Sequence, residues 1–262
     1  MRELIRSMNE ARRSFAASQA GQANRLWLLL LAALCAGLGY AGTQPAAATG
    51  ALAYPAMAPV AQYMMKQADE IALARSAAPK MISYDATVLV LGEKGYETAV
   101  RGSNGFTCFV GRSWANDFDA TDFWDPRDLT PNCWNLAAVN SQLREYLERT
   151  QWVLARVSKD TMAARTKAAW ASHKYTLPAR GSVAYMMSKS QCIHAPAPCS
   201  WYPHVMFFEA TADAQKWGDN FKGVPVVSGV SHTDPVTTFM VVVPIWSDGT
   251  PGPYGAPTQH KH

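Results

Sequence analysis

His204 is the residue whose type and setting most directly indicate chemistry. It lies in an apolar run at residues 203–208 (PHVMFF), directly after Trp201 and Tyr202. A histidine at the mouth of a strand is able to act as a general base or to contact a ligand, because its ring changes charge near neutral pH. His204 is therefore the candidate catalytic residue. The alternative is a half-buried histidine that serves only packing.

Aromatic side chains near this histidine are the candidate ligand-binding residues. Trp201, Tyr202 and Phe208 are close to His204 in the chain, and large aromatic side chains commonly line apolar ligand grooves. Packing in a hydrophobic core is the commoner use of such residues. The sequence therefore leaves both uses open.

An acidic and aromatic segment is the second place where chemistry is conceivable. Its carboxylates are Asp117, Asp119, Asp122, Asp125 and Asp128. Calcium-binding loops need a central glycine and a glutamate at the twelfth position, and both are missing here. We therefore expect a solvated, turn-rich loop with aromatic anchors, and we predict no metal and no cofactor.

Other catalytic patterns are weak or missing. Ser231, His232 and Asp234 are close in sequence, but catalytic triads are assembled in space, so this closeness alone is not evidence. The chain has no P-loop, no H-E-x-x-H and no glycine-rich dinucleotide motif.

The amino terminus has the pattern of an export sequence. Residues 1–25 are polar and carry five arginines, and residues 26–40 (LWLLLLAALCAGLGY) are apolar and uncharged. This order is typical of a secretory signal peptide, which we place at residues 1–41. The apolar run is shorter than the roughly 20 residues of a spanning helix, and an uncleaved anchor at residues 26–42 is the alternative. We expect an exported protein, periplasmic or extracellular, with a linker at residues 42–56.

The charge of the chain resides mostly in this leader. The whole sequence has 24 basic and 20 acidic residues, of which five and two lie in residues 1–41. The remainder therefore has a net charge of +1. Such a balance gives no reason to expect a nucleic-acid partner, and it leaves membrane contact only to the amino-terminal segment.

Four cysteines remain beyond the leader, an even number that suits an oxidising compartment. They are Cys108, Cys133, Cys192 and Cys199. Three pairings are possible. We favour Cys108 with Cys133, and Cys192 with Cys199 across a short proline-rich loop.

The elements that position these residues are predicted from periodicity. Residues 57–76 show helical spacing, with Lys66 and Glu70 four apart as an ion pair. Strands are predicted at residues 86–92, 96–102 and 106–112. Because Ser103-Asn104-Gly105 is a strong hairpin turn, these strands are predicted to form a three-stranded antiparallel meander.

The rest of the chain alternates helices and strands in blocks. The predicted elements are a loop at residues 113–134, helices capped by Asn135 and Ser158, a short helix at 211–218, and strands at 183–187, 203–209, 224–228 and 237–245. This order predicts a single α+β domain over residues 57–250, with helices packed on an antiparallel sheet and an irregular tail at 251–262.

Several segments resemble a family of uncharacterised exported bacterial proteins. They are DEIALARSAAP (69–79), VLVLGEKGYETAVRGSNGFTC (88–108), AYMMSK (184–189), PHVMFF (203–208) and WSDGTPGP (246–253). Members of that family carry a second histidine two residues before the one matching His204, where this chain has Tyr202. The departure weakens any His-x-His metal site. The resemblance implies an exported soluble protein and supplies no activity.

These observations lead to three functional hypotheses. The first is an exported non-enzymatic domain that binds a small ligand or a partner in the envelope. The second is a hydrolase with His204 as general base, assisted by a carboxylate of the acidic segment. The third is a structural envelope protein stabilised by disulfides.

Overall fold

The computed structural model describes residues 54–193, 201–214, 217–221 and 224–253. The helices of this part are α1 (Gln67–Arg75), α2 (Lys80–Ser83), α3 (Leu136–Leu154) and α4 (Lys159–Ala171). The strands are β1 (Thr87–Gly92), β2 (Gly95–Val100), β3 (Thr107–Arg112), β4 (Leu129–Trp134), β5 (Val183–Met186), β6 (His204–Ala210), β7 (Val226–Val230) and β8 (Val236–Val242). One sheet contains all eight, in the order β2-β1-β3-β4-β5-β6-β8-β7. The predicted α+β class is confirmed.

The first three strands lie where the sequence predicts them, but their order differs from a meander. β1 and β2 form the expected antiparallel hairpin, whereas β3 pairs with β1 and runs parallel to it. The segment between β2 and β3 crosses the start of β1, and the backbone of Ser103 donates to the Asp85 carbonyl. A Cβ at Gly102 would lie 2.2 Å from the Thr87 nitrogen, so only glycine permits this crossing.

β4 lies inside the segment that was predicted from the sequence to be a loop. It pairs antiparallel with β3 along its whole length, although Pro131 stands in its middle opposite Val110. Proline and asparagine are both rare in central strands, so the local pattern argues against this element. The prediction of a loop over all of residues 113–134 was therefore wrong for its last six residues.

The pairing of β3 with β4 places Cys108 directly opposite Cys133. The two form a disulfide, which confirms the predicted pair. Cys192 is also disulfide-bonded. Its predicted partner Cys199 lies outside the described residues, and so that pairing stays a prediction.

The helix predicted over residues 57–76 is interrupted. A 3₁₀ turn at Val60–Gln62 precedes α1, and Lys66 between them is extended. Tyr63 explains the break, because its hydroxyl donates to the Trp124 carbonyl and its own carbonyl accepts from Arg112. These tertiary contacts replace the hydrogen bonds of a continuous helix.

The two long helices begin at the predicted caps. The side chain of Asn135 accepts from the Ala138 nitrogen and that of Ser158 from the Thr161 nitrogen. Asn135 also accepts from the Val183 nitrogen, which ties the start of α3 to β5. α3 continues past Arg149, the predicted end, to Leu154.

Helices cover both faces of one half of the sheet. α1 packs on β1, β3 and β4, and α3 packs on β2, β4 and β5 from the other face. We call β1–β5 with these helices the helix-covered half. No helix in the described part of the chain is long and apolar enough to cross a membrane. The predicted signal peptide lies outside that part.

The remaining strands β6, β8 and β7 form what we call the C-terminal half-sheet. They pair antiparallel with one another, and most of their residues are only half-buried, in contrast to the fully buried β3. Of the short helix predicted at residues 211–218, residues 211–213 make a turn and Ala214 has 3₁₀ geometry, while residues 215 and 216 lie outside the described part.

Candidate functional site

His204 is the first residue of β6 and lies inside the sheet. It stands opposite Met186 of β5 and Val242 of β8, and it is 1% exposed. Its Nδ1 lies 2.7 Å from the Tyr202 carbonyl, which only accepts, so the ring donates there. Burial lowers the pKa of His204 to about 4, and the Tyr202 carbonyl partly opposes this. The ring is therefore neutral at neutral pH.

The three candidate ligand-binding aromatics do not share one groove. Trp201 and Tyr202 lie side by side, with ring centroids 6.1 Å apart, and Gln191 donates to both of their carbonyls. Phe208 instead contacts Trp134 at 5.5 Å and belongs to the core under α3. Phe208 therefore packs as a core residue, whereas Tyr202 keeps 38% of its surface exposed.

The acidic segment is largely buried, contrary to the solvated loop expected from the sequence. Asp122, Asp125 and Asp128 are at most 9% exposed. Asn116 donates to Asp122 and Asp128 at 3.2 Å each, and Arg127 binds both oxygens of Asp125. Hydrogen bonds to a neighbouring amide and guanidinium make burial of these carboxylates possible. The described residues contain no group of three acidic, histidine or cysteine side chains that could hold a metal.

Arg149 of α3 is the cation at the centre of a polar cluster. It donates to the Glu145 carboxylate at 2.8 Å and to the carbonyls of Trp114 and Asn116, and its guanidinium lies 4.4 Å from the Phe118 ring centroid. Glu145 also accepts from the Trp170 indole at 3.0 Å. These contacts join the acidic segment to α3 and α4.

The turn between β7 and β8 completes this cluster. Burial raises the pKa of Asp234 to about 7 and also raises that of Asp117, while the nearby Ser231 hydroxyl lowers both values. His232 and Arg149 lower the pKa of Asp117 further. Asp234 Oδ1 is buried without a hydrogen-bond partner. A carboxyl group that keeps its proton near neutral pH is able to donate it, which is acid–base chemistry in principle.

A second polar network, which was not predicted from the sequence, lies in the core of the helix-covered half. Glu70 pairs with Arg112 at 2.8 Å, with side chains 1% and 0% exposed. The expected partner of Glu70 was Lys66. Glu70 also accepts from the Leu91 nitrogen, and Arg112 also donates to the carbonyls of Tyr63 and Val110. These bonds tie α1 to β1 and β3, a structural use of charge.

The exposed apolar residues of the C-terminal half-sheet form the last candidate surface. They lie on β7 or on the segments that flank the strands: Tyr202, Trp217, Phe221, Val224, Val230 and Ile245. Trp217 stacks on Phe239 of β8 with centroids 4.5 Å apart, and Phe221 is 69% exposed. Exposed apolar groups that adjoin one another are typical of interaction surfaces, and Phe221 and Val224 adjoin through a backbone hydrogen bond.

Among protein-family models, curated proteins and solved structures, none matches this chain. The resemblance to an exported family therefore stays a prediction from the sequence. The case for function depends on the geometry of the molecule itself.

Proposed function

We propose that this chain is an exported, non-enzymatic domain that binds a polypeptide partner in the envelope through its C-terminal half-sheet. The proposal depends on one contrast between the two halves of the sheet: helices bury the strands of one half, and the strands of the other half are only partly buried. α1 and α3 bury the other strands, whereas β6, β8 and β7 remain half-buried beside exposed Phe221, Val224 and Val230. A sheet that leaves apolar side chains in water gains free energy when a partner covers them.

The charge balance of the C-terminal segment suggests the chemistry of the partner. Residues 201–253 contain five acidic residues and only two lysines. A complementary partner therefore presents apolar side chains with basic residues at the rim. The depression of about 360 Å³ beside Trp152 and Arg165 is open to solvent, so it would enclose a small ligand poorly.

Site-specific photocrosslinking in living cells tests this proposal. A photoreactive phenylalanine analogue placed at Phe221 is expected to give a discrete adduct with another envelope protein. The matched control is Leu177, which is 52% exposed but lies between α4 and β5. Equal adducts at both positions, or none at Phe221, would contradict the proposal. An adduct formed only with a second copy of the chain would replace the partner by self-association.

Export is tested separately. The Cys108–Cys133 disulfide is compatible with an oxidising compartment. Fusing a reporter that is active only outside the cytoplasm after residue 60 is expected to give activity. Activity of a cytosolic reporter alone at the same junction would contradict export.

A hydrolase is the second candidate, and the polar cluster around Asp117, Ser231 and Asp234 favours it more than His204 does. The cluster combines a hydroxyl with carboxyl groups of raised pKa, whereas the hydrogen-bond partner of His204 among the described residues is a backbone carbonyl. A panel of ester, peptide and glycoside substrates tests it. Turnover that Ser231→Ala or Asp234→Asn abolishes would support a hydrolase, and turnover lost only in His204→Gln would restore the original assignment.

A further inference from the structure

Among the described strands, β7 lies at the end of the sheet and pairs with β8, so its other side is the outer edge. Alternate residues of an edge strand direct their backbone N–H and C=O groups outward, where another chain is able to pair with them. β7 has the sequence VVSGV, without charge or proline. It therefore has the composition of an edge that accepts an additional strand.

Asn220 occupies this edge. Its amide oxygen accepts from the Ser228 nitrogen at 3.1 Å, and its own backbone nitrogen donates to the Val226 carbonyl at 3.0 Å. Its Nδ2 donates to the Ser228 hydroxyl at 2.9 Å and to Asp219 at 3.0 Å, and it lies 3.4 Å from the Ser228 carbonyl. The side-chain amide thus binds both outward groups of Ser228, as a peptide group of a ninth strand would.

The segment around Asn220 is fixed to the half-sheet at two further points. Asp219 accepts from the Ser228 hydroxyl, and the Trp217 indole stacks on Phe239 and donates to Glu209 at 3.1 Å. Asn220 itself has a φ of +63°, in the left-handed region. Non-glycine residues occupy that region at a cost, and such strain often marks a functional position. We call residues 217–221 the edge strap.

We propose that the edge strap is an intramolecular substitute for a partner strand: β7 binds an extended, apolar segment with basic flanks only after Asn220 leaves Ser228. The inference rests on the proposed function and specifies how its partner would bind, by addition of a strand to the sheet. The strap then acts as a competitor, because every partner must first displace its hydrogen bonds. The observed affinity for the partner equals the intrinsic affinity multiplied by the fraction of molecules in which the strap is open.

Removing the Asn220 side chain tests this competition. Asn220→Gly deletes the amide and suits the positive φ, so backbone strain does not confuse the result. Asn220→Asp keeps an acceptor for the Ser228 nitrogen and loses the donor to its carbonyl. Circular dichroism confirms that each variant is folded.

The probe is a fluorescent synthetic peptide, Lys-Val-Thr-Val-Thr-Val-Lys, titrated against the full chain by anisotropy. We expect Asn220→Gly to bind it about tenfold or more tightly than the wild type, with Asn220→Asp in between. The control peptide has proline in place of the central valine and is expected not to bind, because it lacks a ladder N–H.

Three outcomes would overturn the inference. Equal affinity of the wild type and Asn220→Gly would show that the strap does not compete. Equal binding of the proline peptide would show that no strand is added. Concentration-dependent dimers of Asn220→Gly in sedimentation, without peptide, would make a second copy the occupant. If the Phe221 adduct forms in cells but the peptide binds Asn220→Gly no more tightly than the wild type, the proposed function stands and the strap mechanism fails.

Discussion

The two halves of the sheet satisfy their surfaces in different ways. In the helix-covered half, α1 and α3 bury the strands, a disulfide joins β3 to β4, and Glu70 with Arg112 fills the core with a bonded ion pair. In the C-terminal half-sheet, single side chains cover the strands. Trp217 stacks on Phe239, and Asn220 lies along the edge of β7. Covering by whole elements is cooperative, whereas covering by single residues opens at a lower free energy.

This difference suggests a division of labour within one sheet. The helix-covered half supplies the stability of the domain, and the C-terminal half-sheet retains surfaces that are able to exchange one cover for another. Regions that bind partners are commonly drawn from the less stable part of a fold. Variants in each half of the sheet test this difference.

Breaking the buried ion pair has the largest expected effect. Arg112→Met leaves Glu70 charged and buried without its partner, and we expect the free energy of unfolding to fall by about 3–5 kcal/mol. Urea unfolding measures it. Arg144→Met is the control, because Arg144 is 61% exposed in its pair with Glu148 and is expected to change little. Similar small losses in both variants would contradict the structural importance of the Glu70–Arg112 pair.

Removing the disulfide is expected to lower the free energy of unfolding by a somewhat smaller amount. The Cys108→Ala, Cys133→Ala double variant releases a crosslink over a sequence separation of 25 residues, which is worth about 2–4 kcal/mol. Hydrogen exchange should show the added opening mainly in β1, β3 and β4. Faster exchange confined to β6 and β8 would contradict the assignment of stability to the helix-covered half.

His204 makes stability depend on pH. Its pKa falls from 6.5 to about 4 on folding, so the unfolded chain binds a proton first as the pH drops. Wild-type stability is therefore expected to decline relative to His204→Gln between pH 6.5 and pH 4, on the order of 2 kcal/mol. Exposed His173, replaced by Gln, is the control. A constant difference between wild type and variant across this range would contradict the burial of a neutral ring.

Asp234 changes the stability of the fold with pH in the opposite direction to His204, over nearly the same pH range. Its pKa rises from 3.8 to about 7 on folding, so the folded state holds the proton longer and stability falls as the pH rises through this window. Asp234→Asn, which cannot ionise, is expected to be more stable than the wild type at pH 8 and similar at pH 4. Exposed Asp213→Asn should show no such trend. The effects of His204 and Asp234 on the pH dependence of stability oppose each other. The single variants separate these two effects, whereas the wild type shows only their sum.

Trp217 gives the smallest expected effect. Trp217→Ala removes the stacking on Phe239, and we expect a loss of about 1 kcal/mol. Exchange of β8 and β7 should accelerate while that of β3 stays unchanged. Leu177→Ala is the control, since Leu177 is exposed and lies outside the C-terminal half-sheet. Acceleration throughout the sheet would show that the two halves unfold as one unit.

Local features of the fold were predictable from the sequence. The β1–β2 hairpin and the caps at Asn135 and Ser158 depend on neighbouring residues, and the structure confirms them. β4 escaped prediction because Pro131 contradicts a central strand locally. The crossing at Gly102 escaped because Asn104 and Gly105 are also good hairpin residues.

The candidate sites, too, were only partly predictable from the sequence. His204 stood out by type, yet its surroundings come from β5 and β8, far along the chain, and they bury it. The pairing of Glu70 with Arg112 over the expected Lys66 likewise depends on how α1 packs on β3. The contact of Asn220 with Ser228 spans only eight residues, but no sequence rule predicts that a side-chain amide lies along a strand edge.

By itself, the order of polar and apolar residues determined the class of fold and most of the helices and strands. Periodicity and capping act between residues close in the chain, so these features are visible without coordinates. Tertiary structure alone decided which strands adjoin, which charges are buried together and which half of the sheet stays without helices. Those outcomes depend on contacts between distant segments, whose energies no local pattern contains.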